Sequence, residues 1–361
     1  MFYLATLAGG GAERVTLDIC RAARAGGHDV HLVLLRAEGA FLESVPDGVR
    51  VTGLGFPRSR RAVAPLARLI RRERPAAVIS HLWSANAAAL LASALARTGA
   101  RRVAMQGISL ARDPGRSAPR MRLRRRLLTA ALYRLADVVV SPAEGVSGDL
   151  AHWLALPRAR LATVPNPIDL DAIGAAAKAP APHPWTEPGE PPLILGVGRL
   201  APQKNFALLI EAFARLRAER KARLMILGEG PLRAELEAQI AALGLERDVR
   251  LPGFVANPFA YLARAGVFAL SSDFEGLPNV VKEALACGCP VVSTHCPWGP
   301  SEILEDGRLG RLVPMGDAAA MAAALAATLD DPPSREALLA RAEDFELRTC
   351  FRQFMAAAGL A

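Results

Sequence analysis

Short apolar runs alternating with alanine-rich amphipathic stretches constrain this chain more than any other feature of it. Runs at Phe2–Leu7, Asp29–Leu35, Val49–Leu54, Val78–Ser80, Arg102–Met105 and Val138–Ser141 flank helical periods at about Ala12–Ala25, Val63–Arg72 and Ala85–Arg97. That is the rhythm of βα units stacked in a parallel sheet. Residues 174–192, GAAAKAPAPHPWTEPGEPP, break it with prolines that sustain neither helix nor sheet, and read as a linker. The alternation then resumes with strands at Leu193–Val197, Arg223–Leu227, Val249–Leu251, Val267–Ser271 and Val291–Thr294, and helices at Phe206–Leu216, Leu232–Ala242 and Val280–Ala286. The fold class is therefore α/β, with two Rossmann-like parallel-sheet domains. At 361 residues the chain exceeds what one hydrophobic core organises, and 52% apolar content supplies two. Two such sheets in tandem are expected to face a shared cleft, and ligands bind outside the C-terminal ends of their strands.

Charge narrows the partners only a little. The 44 basic residues outnumber 35 acidic ones for a formal charge of +9, which suits phosphate-bearing ligands, anionic lipid or nucleic acid alike. Nucleic acid is not expected as a partner, because the basic residues lack aromatic interleaving and any recognised module. Cys20, Cys287, Cys289, Cys296 and Cys350 lack paired metal spacing, so zinc is not expected and the cysteines read as reduced thiols of a cytoplasmic protein. No apolar run reaches the ~20 residues of a membrane span, and no basic-then-apolar leader opens the chain. It is expected to be neither secreted nor membrane-spanning. The GGGAER stretch fails the dinucleotide fingerprint, since Arg14 stands in place of its third glycine. Asp169-Leu170-Asp171 has the form of a metal-binding pair, but Asp169 follows Asn166-Pro167 at a helix start and reads as a cap. Neither a metal nor another cofactor is expected.

Chemistry concentrates in the second half. Leu193–Val197 runs into GVGRLAPQKN, which puts Arg199 and Lys204 on a strand-to-helix loop. Two cations beside free helix-start amides make an anion site; the alternative is a solvated loop. Gly228-Glu229-Gly230 ends the next strand in a sharp turn that lets backbone approach a ligand, or that is simply structural. In SSDFEGLPNVVKEALACGCPVV, residues 271–292, Pro278 favours the first turn of a helix. Glu275 then lies in the loop at its mouth and Glu283 more than a turn inside. Ionised carboxylates only accept hydrogen bonds, which suits the vicinal hydroxyls of a ribose or hexose. Otherwise Glu275 complements the helix dipole and Glu283 is a surface residue.

Taken together, Arg199 with Lys204-Asn205, Gly228-Glu229-Gly230, GFVANP at 253–258, and Glu275 with Glu283 resemble the nucleotide-sugar half of retaining family 4 glycosyltransferases of GT-B fold. AGGGAERV at 8–15 resembles that family's Gly-rich loop, and TVPNPIDL at 163–170 its closing segment before the linker. CPWGPSEIL at 296–304 resembles members that build bacterial surface polysaccharides or lipid-linked saccharides. The resemblance implies that Arg199 and Lys204 bind the donor diphosphate and Glu283 the ribose. Glu275, with the amides near Gly276 and Leu277, would face the donor sugar, Gly228 and Gly230 would line the donor site, and Phe254 and Val255 would lie near the base. Gly10 and Gly11 would let the first domain's loop approach the reacting centre. The implied division is an acceptor domain at 1–173, the linker, a nucleotide-sugar domain at 193–344, and a helix within 345–361 packing back on the first domain.

The implied reaction moves a hexose or N-acetylhexosamine from a nucleoside-diphosphate sugar, with uracil the expected base, to a saccharide or lipid-linked saccharide. No nucleophile is placed for a double displacement, which favours front-face attack assisted by the leaving phosphate. Departures from the family pattern remain. The first strand is short, as though a few residues preceded it. Gln106 stands where many relatives have a histidine, leaving His81 as the polar candidate on the acceptor side or as a structural strand-end histidine. A nucleotide-sugar epimerase of the same fold and a non-catalytic sugar-nucleotide scaffold are the alternatives. Finally, RDPGRSAPRMRLRRR at 112–126 precedes Leu127, Leu128, Leu132 and Leu135, an apolar stripe at helical spacing. It reads either as a solvated loop entering a core helix or as a segment resting on anionic lipid at the inner face of the cell membrane.

Overall fold

The computed structural model describes residues 1–108, 119–181 and 183–361; Arg112, Asp113 and Arg116 of the basic stretch lie outside them. The chain forms two compact units, one of residues 1–168 with 347–361 and one of residues 169–346.

Unit 1 holds seven strands: β1 (Phe2–Leu4), β2 (His31–Leu34), β3 (Arg50–Gly53), β4 (Ala77–His81), β5 (Arg101–Met105), β6 (Val138–Ser141) and β7 (Leu161–Thr163). They form one parallel sheet in the order β3, β2, β1, β4, β5, β6, β7. Its helices are α1 (Gly11–Ala25), α2 (Ser59–Glu73), α3 (Trp83–Ala96), α4 (Pro119–Tyr133) and α5 (Glu144–Leu154). β1, β2 and β4 are buried along their whole length, as central strands covered by helices on both faces must be. Phe2, Leu4, Ile19 and Leu32 belong to one core layer, and Tyr3, Val33, Leu66 and Ile70 to the other. Successive strand residues thus point to opposite faces.

Unit 2 opens with α6 (Leu170–Ala177) and continues with β8 (Leu193–Val197), α7 (Phe206–Glu219), β9 (Arg223–Leu227), α8 (Arg233–Ala242), β10 (Val249–Gly253) and α9 (Phe259–Leu262). β11 (Val267–Leu270), α10 (Asn279–Ala286), β12 (Val291–Thr294), α11 (Pro300–Ile303), β13 (Arg311–Val313), α12 (Ala318–Asp330) and α13 (Arg335–Glu343) follow. The parallel sheet runs β10, β9, β8, β11, β12, β13. The last helix, α14 (Leu347–Ala358), belongs to unit 1, where Phe354 and Ala358 join the core and Arg101 Nε donates to the Ala358 carbonyl at 2.7 Å.

The first boundary falls at Ile168/Asp169, upstream of the proline-rich stretch. α6 carries helix into residues 174–177, which the proline argument had left unstructured. Alanines there extend the helix before the first proline, and Asn257 and Arg264 bond the carbonyls of Ala176 and Ala177 from the α9 region. Asp169 caps α6, its Oδ1 accepting from the Ala172 amide at 2.9 Å, as its position in the sequence implied.

In each sheet the order reverses once, between β1 and β4 and between β8 and β11. Loops leaving adjacent strands at such a switch point diverge to opposite faces and leave a crevice beyond the strand ends.

Candidate active site

In unit 2 the switch point holds the residues on which the sequence argument converged. Lys204 ends a single 3₁₀ turn after β8, and its stem folds back so far that a Cβ added at Gly198 would lie 3.1 Å from its Cε. Its Nζ meets Glu275 Oε1, on the loop after β11, at 2.6 Å. Ser272 Oγ donates to the same oxygen at 2.7 Å. Among the described residues the second carboxylate oxygen is met by Gln203 Nε2 alone, at 3.5 Å, so it keeps acceptor capacity. Both partners are largely shielded, with side-chain exposures of 18% and 8%, so the attraction is less screened than at a surface.

Backbone stitching holds the two loops in register. Gln203 Nε2 donates to the Phe274 carbonyl, the Asp273 amide to the Gln203 carbonyl, and Ser271 Oγ to the Lys204 carbonyl. Asn205 takes a left-handed conformation and caps α7, its Oδ1 accepting from the Leu208 amide while its Nδ2 donates to Asp273. The helix-start amides are therefore not all free, which corrects the expectation drawn from the loop's sequence. Arg199 lies exposed on the same loop.

Pro278 is the cap of α10 and not part of its first turn, which leaves Glu275 and the buried Gly276 and Leu277 ahead of the helix. Glu283, in the second turn, is buried; it is not a surface residue. The loop after β12 braces this segment, the Glu275 amide donating to the Pro297 carbonyl and the Trp298 amide to the Glu275 carbonyl.

Gly228 and Gly230 have a packing reason to be glycine. Cβ atoms there would stand 1.9 Å from the Gly198 oxygen and 2.3 Å from the Leu200 oxygen, so the loop after β9 closes directly on the loop after β8. Phe254, just past β10, is the most exposed large apolar side chain among the described residues, and Val255 beside it is half-buried. No three His, Cys, Asp or Glu side chains converge on a metal-sized point among the described residues.

Unit 1 assembles a second group at its own switch point. Gly10 caps α1 and Gly11 opens it, both exposed, while His81 ends β4 fully buried. The Thr16 hydroxyl spends its proton on the Ala12 carbonyl at 2.9 Å, so the contact of 3.2 Å to His81 Nδ1 assigns the ring proton to Nδ1. Nε2 is left as the basic nitrogen, facing Gly107. Burial lowers the His81 pKa from 6.5 to about 4, against a smaller upward pull from the Ala12 backbone. With the folded value below the unfolded one, neutral His81 contributes its full stability above about pH 6.5, and that contribution is lost as pH falls toward 4. Between pH 7 and 4, wild type should lose roughly 3 kcal/mol more unfolding free energy than His81→Gln. Denaturant titration at both pH values measures the difference, and equal losses would remove His81 from this account.

Residues 9–172 match the family Glycosyltransferase Family 4, and residues 191–331 match Glycosyl transferases group 1. The chain belongs to glycosyltransferase family 4. HepE of Anabaena, solved in complex with UDP, superposes with a TM-score of 0.80 at 22% identity, covering 100% of this chain and 99% of that one. The fold is thus GT-B. This family 4 chain is 38% identical over 212 residues to the N-acetylgalactosamine-N,N'-diacetylbacillosaminyl-diphospho-undecaprenol 4-alpha-N-acetylgalactosaminyltransferase of Campylobacter jejuni, covering 59% of this chain and 56% of that protein. It is 36% identical over 157 residues to the lipopolysaccharide core biosynthesis glycosyltransferase LpsE of Rhizobium meliloti, covering 44% and 45%. The chain spans about half the length of the curated relatives it matches.

Gln106, at the position of the absent histidine, is consumed structurally. Its Oε1 accepts from Tyr133 at 2.6 Å and its Nε2 donates to the Ile108 carbonyl at 3.0 Å. Asn86 completes the buried network, donating to Tyr133 Oη and the Met105 carbonyl and accepting from Ser80. Sequence reasoning did not single out Thr16, Ser272 or Gln203. Common polar residues acquire meaning only from the partner the fold sets beside them.

Proposed function

We propose that this chain is a retaining glycosyltransferase that moves a hexose or N-acetylhexosamine from a UDP-linked donor to a saccharide or lipid-linked saccharide, working peripherally at the inner face of the cell membrane. The observation that carries it is the Lys204–Glu275 pair at the switch point of unit 2, a shielded cation and a carboxylate held 2.6 Å apart. A donor needs both: the ammonium for its diphosphate, the free carboxylate oxygen for sugar hydroxyls. The names of the Campylobacter and Rhizobium relatives and the UDP held by HepE support the substrate classes.

In this reading the acceptor hydroxyl attacks the anomeric carbon on the face from which the diphosphate departs. The carbon–oxygen bond to phosphate breaks, its electron pair stays on the leaving oxygen, and the hydroxyl proton passes to that phosphate. Arg199 and Lys204 stabilise the growing charge. Glu283 holds the ribose, Phe254 and Val255 the base, and Glu275 with Gly276 and Leu277 the sugar. No metal takes part, and His81, fully buried at the end of β4, is structural.

Thermal-shift measurement against nucleoside diphosphates tests the donor. At a hundred times its Kd, a ligand specific for the folded state adds about 2.7 kcal/mol. UDP should raise Tm, and Lys204→Ala should shrink the rise. No shift with any nucleoside diphosphate would reject the reading. Donor turnover without any acceptor requirement would favour an epimerase instead.

A further inference from the structure

The loop after β12 is stitched to the segment that carries Glu275. Thr294 Oγ1 donates to the carbonyl of Ser272 at 2.6 Å, the residue whose own hydroxyl holds Glu275 Oε1. The Glu275 amide donates to the Pro297 carbonyl at 2.9 Å, and the Trp298 amide returns a bond to the Glu275 carbonyl at 3.3 Å. A Cβ added at Gly299 would collide with the Gly276 oxygen and lie 2.9 Å from Leu277 Cα, so the two loops touch backbone to backbone. Because β12 neighbours β11, this fixes the backbone of Trp298 beside the carboxylate, at the end of the sheet where ligands bind.

Glu275, Gly276 and Leu277 are buried, but Trp298 is only half-buried, as is Phe274 just before the carboxylate. Part of each ring is left at the surface. The other tryptophan of unit 2 differs: Trp185 is 9% exposed, and Arg223 and Arg250 lie over its ring at 5.0 and 5.1 Å, so its faces are spent on structure.

A pyranose carries hydroxyls around its rim and C–H bonds on its faces. A carboxylate serves the rim. The faces call for apolar surface, which a flat indole supplies with few rotamers to freeze. Small-molecule sites combine a few placed polar groups with aromatic walls in this way. We propose that Trp298 is a specificity-determining residue, its ring packing on the C–H face of the donor's hexose while the Glu275 oxygen not held by Lys204 accepts the hydroxyls. The proposal deepens the donor reading and rests on it. Lys204, Arg199 and Glu283 hold the nucleotide there, so Trp298 touches the sugar and not the UDP.

Isothermal titration calorimetry of the full chain with UDP, UDP-glucose, UDP-galactose and the two N-acetylhexosamine counterparts separates sugar from nucleotide. For the UDP-sugar that binds tightest, Trp298→Ala should raise Kd about ten-fold, the weight of roughly 55 Å² of apolar surface returned to water, and leave Kd for UDP within about two-fold. Trp298→Phe keeps a flat ring and should recover most of the loss. Tryptophan emission gives a second readout that needs no alanine variant: the UDP-sugar should change it beyond the effect of UDP, and Trp298→Phe should remove that difference. Wild-type UDP-sugar affinity in Trp298→Ala, or an equal loss for UDP, would overturn the proposal. So would a sugar-dependent emission change that is absent from wild type or survives in Trp298→Phe, or binding of UDP with none of the four sugars. Failure to bind UDP at all would instead reject the donor reading beneath it.

Discussion

In the proposed reaction, alanine at Lys204 should lower kcat at saturating donor by about 10²–10³-fold, the equivalent of roughly 2.7–4 kcal/mol. Charge on the departing phosphate is greatest in the transition state, so losing its cation falls on turnover more than on donor affinity. Among the described residues, the same substitution leaves the buried Glu275 Oε1 with Ser272 as its partner. Removing one member of a shielded pair costs about 3 kcal/mol or more, so Tm falls as well. Arg199→Ala separates the two effects, because Arg199 is exposed: kcat drops while Tm holds. Steady-state kinetics and melting curves on both variants make the comparison. Wild-type kcat in both would end the diphosphate assignment.

If Glu283 holds the ribose as proposed, Glu283→Ala should raise the donor KM on the order of ten-fold to a hundred-fold and leave kcat close to wild type. The ribose is remote from the breaking bond, so its contacts are nearly equal in ground and transition states. A hydrogen bond to a charged group contributes about 1.5–3 kcal/mol, which sets the range. Because Glu283 is buried on α10, kinetics are read at a temperature where the variant remains folded, and Glu283→Gln keeps the volume. An unchanged KM in both would take Glu283 out of the ribose role.

The long central strands and helices α1, α2, α3, α7, α8 and α10 were legible in the sequence because their apolar periods are strong, whereas α5, α12 and α13 were not singled out. β8, β9 and β12 begin and end where their runs do. β7 and β13 were not legible: each is three residues at a sheet edge, with one neighbour to bond and little to bury. α6 escaped because prolines close behind it masked a short alanine helix. Arg199, Lys204, Glu275 and Glu283 could be named as candidates from chemistry and spacing. Their companions Ser272, Gln203 and Thr16 could not, since serine, glutamine and threonine are common everywhere.

By itself, then, the sequence determined two α/β sheets and the loops that carry their charges, because strand period, helix period and loop chemistry are local properties. Tertiary structure alone decided that Lys204 and Glu275 meet at 2.6 Å. The two lie on loops after strands that are third-nearest in the chain but neighbours in the sheet, and only the crossover order makes them adjacent. It also decided that Gln106 is spent on Tyr133, that Gly228 and Gly230 make room for a neighbouring loop, and that Leu127 faces outward while Leu132 does not. Helical spacing can mark a residue as apolar, but which face is covered depends on the elements packed against it.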